Sequence, residues 1–285
     1  MGRMMMAIVL TVSALVSPEN SSAFTSNEVP FKLYRGYVIV IRGSIGGLTN
    51  LNFVVDTGAV PSVVDARIAL KLHLRGQWER LDVPTKTLAA ERVTVRDVTL
   101  GSSHADDLSV IVRDLSFAEE VLGIRIDAMI GLDLLGQSQF TIDYESRKLV
   151  FGPVDPSFTT VPYNPGLPYA LVVLQVEQEK LGILVDTGAN NLVLFESGVR
   201  NCRSAMNKVG REKWTSMAGE MPVAKVQPVN AYLGGAAWGK RSAYIPENSA
   251  NQPLGIEGLL GTVALGNRVA FDPVRKVVAW EQRKP

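Results

Sequence analysis

The chain has 285 residues, 46% hydrophobic and 20% charged, with 29 Lys+Arg against 28 Asp+Glu and a net charge of +1. That length and apolar content supply one large or two modest cores, while the balanced charge gives no electrostatic case for nucleic acid or an anionic membrane surface. The single Cys202 excludes an intramolecular disulfide, and two histidines, His73 and His104, leave metal, Ser-His and Cys-His catalysis poorly supported.

In chain order, Arg3 precedes the apolar run Met4–Val16, which is too short for a comfortable membrane span but suits a signal core. Ser21-Ser22-Ala23 offers small residues for cleavage. The expectation is a signal peptide over 1–23, a mature start near Phe24 and a periplasmic or secreted protein, with an uncleaved anchor as the alternative. Residues 24–30 read as a loose leader. Phe31 to Ile41 alternates as a strand, Gly43 to Gly47 turns, and Asn52 to Val55 returns. A short helix is predicted over Ala66 to Leu72, capped by Asp65. Leu81 to Leu88 and Glu91 to Leu100 read as a flap-like hairpin. Gly101 to Asp107 reads as a polar turn, Leu108 to Val112 and Ile126 to Gly131 as strands, and Leu132 to Gly136 as a helical turn capped by Asp133. Phe140 to Ile142 and Lys148 to Phe151 form a hairpin whose turn begins at Asp143; Asp272 holds the matching turn later on.

Prolines 153, 156, 162 and 165 mark a linker over 153–165. The plan then restarts: Leu171 to Val176 and Leu181 to Val185 flank a polar turn, and Trp214 to Ala224 is a second flap-like hairpin. Lys225 to Gly235 and Ser242 to Ile245 are strands, and Glu247 to Gly255 is a loop. Trp78, Trp214, Trp238 and Trp280 are read as packing residues.

Two stretches organise the whole. Phe53-Val54-Val55-Asp56-Thr57-Gly58-Ala59 recurs as Ile183-Leu184-Val185-Asp186-Thr187-Gly188-Ala189, at 186 − 56 = 130 residues. Each reads as a buried strand delivering a carboxylate, a hydroxyl and a glycine into a tight turn. Ala128-Met129-Ile130-Gly131 is matched by Gly258-Leu259-Leu260-Gly261, again at 261 − 131 = 130. Phe140-Thr141-Ile142-Asp143 is matched by Val269-Ala270-Phe271-Asp272. A repeat of this length is a duplicated domain, not a solenoid unit. One Asp-Thr-Gly reads best as a turn or cap; two with matching flanks do not.

These landmarks resemble the aspartic peptidases, in which each lobe gives one Asp-Thr/Ser-Gly loop and one later apolar-apolar-Gly strand crossing behind it. The Asp-Thr-Gly-Ala form and the Ile-Gly-Leu-Asp-Leu-Leu…Thr-Ile-Asp-Tyr ending look retropepsin-like; the single-chain duplication looks pepsin-like. The resemblance implies an all-β fold of two pseudo-twofold-related acid-protease lobes, 30–152 and 166–281, with a central cleft. It implies Asp56 and Asp186 as a catalytic pair activating a water, with no metal and no cofactor. Thr57 and Thr187 would lock the two loops together, Gly58 and Gly188 permit the tight turns, and Gly131 and Gly261 let the crossing strands pass without a Cβ clash. Two carboxylates so close share a proton, as in the aspartic-protease dyad that is the standard instance of this effect. The partner would be a polypeptide substrate, and a monomer is expected because both acids lie in one chain. The sequence departs from the pepsin-like pattern in having no Tyr between Leu81 and Leu100. The alternative is a non-catalytic peptide-binding protein on the same fold, because fold does not imply function.

Overall fold

The computed structural model describes residues 27–83, 86–216, 219–247 and 255–282. The signal-segment reading over 1–23, the flap tips and most of the 247–255 loop lie outside these residues. The described chain is all-β: one sheet of 13 strands and one of 9, with a few short helices. None of these helices is long and apolar enough to cross a membrane.

The organising strands have apolar side chains at consecutive positions because both of their faces are covered. Phe53 and Val55 enter the main core, while Val54 points the other way into a smaller cluster with Val40, Leu115, Ile126 and Met129. In the second half Ile183 and Val185 enter the main core, while Leu184 joins Val193, Phe195 and Ile256. Each organising strand runs parallel to its crossing strand, Val55 beside Ile130 and Asp186 beside Gly261. Each crossing strand is then flanked on its other side, antiparallel, by the strand that follows the loop: Met129 beside Val63, and Leu259 beside Val193. The 130-residue repeat is thus a repeat of hydrogen-bonded register.

One layer is built from both halves. Phe140–Asp143 runs antiparallel to Arg268–Asp272, with Phe140 opposite Phe271. Their rings stack at 4.9 Å between centroids. Outward on one side lie Lys148–Phe151 and then Glu28–Tyr34; on the other lie Val277–Trp280 and then Thr159–Pro162. The strand Thr159–Pro162 falls inside the proline-rich segment read as a linker, and it pairs with Val277–Trp280.

The structure corrects several sequence expectations. The segment 24–30 is not a loose leader throughout: Glu28 to Pro30 pair with Val150 to Lys148. The Phe31 to Ile41 stretch is two strands, Glu28–Tyr34 and Val38–Ile45, broken at Arg35 and Gly36, both with positive φ. The following turn is confined to Gly46-Gly47. Residues 103–107 are strand: Ser103–Arg113 alternates buried and exposed positions, and the short polar side chains lie mainly on its outer face. The helix Ser116–Leu122 has no counterpart in the sequence reading: it is only two turns long and its N-cap position is Leu115, while Asp114 accepts from the Ser116 N–H at 2.9 Å. Asp65 does cap its helix, accepting from the Arg67 N–H at 2.9 Å. Asp133 is more than a local cap: it accepts from the Ser62 N–H at 2.6 Å and the Ser62 hydroxyl at 2.5 Å. Trp238 and Trp280 are buried as expected, but Trp78 is 72% exposed and is not a packing residue. The side chain of Trp214 lies outside the described set.

The crossing strands explain two glycines. A Cβ on Gly131 would lie 1.5 Å from the Ala59 carbonyl oxygen, and one on Gly261 would lie 2.4 Å from that of Ala189. Both obstacles are loop backbone, so no rotamer change relieves them. Gly131→Ala is expected to cost about 3 kcal/mol or more, the upper end for overpacking. Gly210→Ala, where a Cβ meets nothing within 4 Å, should stay within about 0.5 kcal/mol of the parent. Chemical denaturation of both variants checks this; equal stabilities would refute the backbone-contact assignment.

Candidate active site

The two loops meet through their threonines. The Thr57 N–H donates to Thr187 Oγ1 at 3.0 Å, and the Thr187 N–H donates to Thr57 Oγ1 at 3.1 Å. The Thr57 hydroxyl in turn donates to the Val185 carbonyl at 2.9 Å, and the Thr187 hydroxyl to the Val55 carbonyl at 2.7 Å. Both side chains are fully buried. Four hydrogen bonds therefore join segments 130 residues apart, and every buried polar group in the set has a partner.

This junction sets the carboxylates side by side. The Gly58 N–H donates to Asp56 Oδ1 at 3.0 Å, and the Gly188 N–H donates to Asp186 Oδ1 at 2.6 Å. A Cβ on Gly58 would lie 2.9 Å from Asp186 Cγ, and one on Gly188 would lie 3.0 Å from Asp186 Oδ1 and 3.5 Å from Asp56 Oδ2. Each glycine thus makes room for the pair. The two carboxyls lie close enough for each to act on the other's titration.

Both acids are held above the ordinary carboxylate range, and Asp186 well above it. Burial is the main cause for each. For Asp186 the neighbouring Asp56 charge adds to it, offset in part by the Gly188 N–H. For Asp56 the hydrogen bonds from Asp186 and from the Gly58 and Ala59 backbone pull the other way. Two carboxyls this close, both raised, titrate as a pair that shares one proton.

All eight site residues named from the sequence gather at this junction: Asp56, Thr57, Gly58, Asp186, Thr187 and Gly188 in the loops, Gly131 and Gly261 beneath them. Sequence reasoning missed their supports. The Ser62 hydroxyl accepts from the Gly131 N–H at 2.9 Å while donating to Asp133, which ties the first crossing strand to the segment after the loop. Tyr37, half-buried in the turn before Val38–Ile45, lies close enough to Asp186 for that carboxylate to push its phenol up, secondary to burial. No repeat or spacing signal singles out these residues, because neither Ser62 nor Tyr37 has a like residue 130 positions later. His104 lies elsewhere, on the hairpin formed by Lys86–Leu100 and Ser103–Arg113. There exposed Asp97, His104 and Asp106 bring ligand-type atoms within 4.8 Å of one another. Both His104 ring nitrogens have partners there, Asp106 at 2.8 Å and Thr99 at 3.1 Å.

A family model for aspartyl protease matches residues 41–134, 134 − 41 + 1 = 94 of the 285. The match takes in the first Asp-Thr-Gly-Ala loop, the long hairpin and the first crossing strand. The two-sheet, all-β architecture is compatible with a two-lobed acid-protease fold, and the match supports protease function in general. A comparison with curated proteins finds no match.

Two predictions follow from the hydrogen bonds and the charges. Thr57→Val keeps the shape but leaves the buried Thr187 N–H and Val185 carbonyl unpaired, at about 1–3 kcal/mol for each group, whereas Thr57→Ser keeps both bonds and should lose far less. Denaturant midpoints of the two variants decide it; equal losses would mean that the hydroxyl carries no weight. The raised acids also set a pH trend. The folded state binds more protons than the unfolded chain above the ordinary Asp range, so stability falls as pH rises through that range toward the raised values. Asp186→Asn removes this penalty. It should melt higher than the parent near neutral pH, and the gap should close below about pH 3.8, where the unfolded carboxyl is protonated too. A constant gap across pH would contradict the shifts.

Proposed function

With the aspartyl protease match over the first loop as premise, we propose that the chain is an exported aspartic endopeptidase working through Asp56 and Asp186 as one proton-sharing pair. The observation that carries the reading is the meeting of the two Asp-Thr-Gly loops through four threonine hydrogen bonds, which set two raised carboxyls side by side. A turn or a binding cleft requires neither the second acid nor its protonation. The reading takes 30–152 and 166–281 as the two lobes, a polypeptide lying between them as substrate, and a monomer as the working form. Export rests on the apolar Met4–Val16 run and the small residues that follow it.

In this reading ionised Asp56 accepts a proton from a water held between the acids. The water oxygen bonds to the peptide carbonyl carbon while protonated Asp186 hydrogen-bonds the developing oxyanion. The carbon–nitrogen bond then breaks as the tetrahedral centre collapses, and the amine leaves with the proton that Asp56 took up. This reading takes Asp56, whose carboxyl receives the Gly58 N–H, as the base, and Asp186 as the proton donor. The missing flap Tyr leaves closure over the substrate to other residues.

The test is hydrolysis of a denatured protein across pH, with and without a pepstatin-type transition-state mimic. The parent should show a bell-shaped profile on the acid side of neutral. Asp56→Asn and Asp186→Asn should each abolish turnover, and the double variant should be no worse than either single, because the two act as a unit. Near-parental turnover by either single variant overturns the dyad. Substrate binding without hydrolysis by the parent favours the peptide-binding alternative.

A further inference from the structure

The two halves match in backbone but not in what supports the loops from below. Under the first loop the support is ionic: Asp133 accepts from the Ser62 N–H and hydroxyl and from the Leu134 N–H, and the Ser62 hydroxyl accepts from Gly131. Under the second loop the support is neutral: the Gly261 N–H donates to the Asn191 carbonyl at 2.9 Å, and the opposite half adds a hydroxyl contact. The Tyr144 hydroxyl lies 2.6 Å from Thr262 Oγ1. Thr262 follows Gly261, the residue that sits beside Asp186 in the parallel ladder, and it is fully buried. The Tyr144 N–H donates to the Asn267 carbonyl at 2.8 Å, and its ring meets Phe31 edge-on at 6.2 Å. The phenol is therefore fixed at its backbone, ring and hydroxyl. In the first half the position matching Thr262 is Leu132, by 262 − 130; Leu has no hydroxyl, so the pair exists once.

We propose that the Tyr144–Thr262 hydroxyl pair is a positioning brace for Asp186, in which the first half holds the floor of the second loop in place and closed to water from beneath. The inference rests on the dyad reading of the site. The brace suits this acid because it brings no charge: an ionic support like Asp133 placed here would add a second carboxylate near a pair that already carries one. The titratable groups facing Asp186 are Asp56 from the first loop, Tyr37 from the turn before Val38–Ile45, with Arg35 beside that phenol, and Tyr144 from below. The phenol of Tyr144 is itself held above its ordinary range, mainly by burial, and so stays neutral wherever the pair works. The helical turn Thr262–Ala264 brings no titratable side chain of its own.

Loss of one hydroxyl should let water reach the floor. Burial, the largest cause of the high Asp186 titration, then weakens, and the midpoint moves down toward the ordinary carboxylate range. The experiment uses the full chain with carboxyl-13C-labelled aspartate, the Asp186 signal being identified as the one that Asp186→Asn removes. Tyr144→Phe should fold, and its Asp186 midpoint should fall below the parent's. On a denatured protein substrate the high-pH limb of its rate profile should move down with it, and kcat should drop roughly tenfold with KM little changed, as for a misplaced catalytic group. Thr262→Ser, which keeps the hydroxyl, should restore parental titration, whereas Thr262→Val should behave like Tyr144→Phe. An unchanged Asp186 midpoint in folded Tyr144→Phe overturns the brace even if the melting temperature drops, since that is a merely structural role. Should Tyr144→Phe not fold, the same titration on Thr262→Val against Thr262→Ser decides. A lowered midpoint in Tyr144→Phe, with a parent that hydrolyses no peptide, would leave the brace standing and remove the peptidase reading.

Discussion

Thr57 and Thr187 each accept from the other's backbone N–H and donate to a carbonyl on the strand leading to the other's loop. Neither threonine can satisfy its own loop, so each half leaves buried donors and acceptors open until the other arrives. Unpaired, those groups would cost more than the bonds gain in isolation. The rest of the site inherits its geometry from this exchange. The glycines follow the threonines and leave room for the acids, and the acids end up side by side because the threonines fix where both chains turn. The layer of strands contributed by both halves, centred on the Phe140–Phe271 stack, holds the same junction.

The pseudo-symmetry of the backbone stops at the polar side chains. Both acids are raised, burial being the main cause for each, and each receives an offsetting hydrogen bond from the glycine two residues on. The supports differ, a carboxylate with three donors under one loop and two neutral hydroxyls under the other.

Each half carries a long hairpin, with Lys86–Leu100 and Met206–Ser216 among their strands. Trp78 stands 72% exposed at the base of the first, on the strand Gln77–Val83 that pairs with Lys86–Leu100. Its large apolar surface has no core to fill, unlike Trp238 and Trp280. On the outer edge of the second sheet, Met206–Ser216 carries Lys208, Arg211 and Lys213 and a register shift between Lys208 and Gly210. Charges and an irregular ladder are how a free strand edge avoids pairing with another chain.

The sequence by itself determined the all-β class, the eight residues at the loop junction and the order of the strands around them, because these are written twice at a spacing of 130. Repetition turns a weak three-residue motif into a register, and continuous apolar runs such as Phe53 to Val55 announce strands covered on both faces. Local chemistry was legible too, as with Asp65 capping its helix. The tertiary structure alone decided what has no copy and no local partner. Ser62 meets Asp133 across 71 residues and Tyr144 meets Thr262 across 118, pairs of common polar residues whose encounter depends on how strands stack. It also decided that Glu28 to Pro30 join a sheet, since pairing with Lys148 to Val150 needs a partner on the far side of the lobe. Asp56 and Asp186 have the same neighbours in sequence; the burial that raises both, and the second carboxyl beside each, are brought up through space, and no reading of either loop alone contains them.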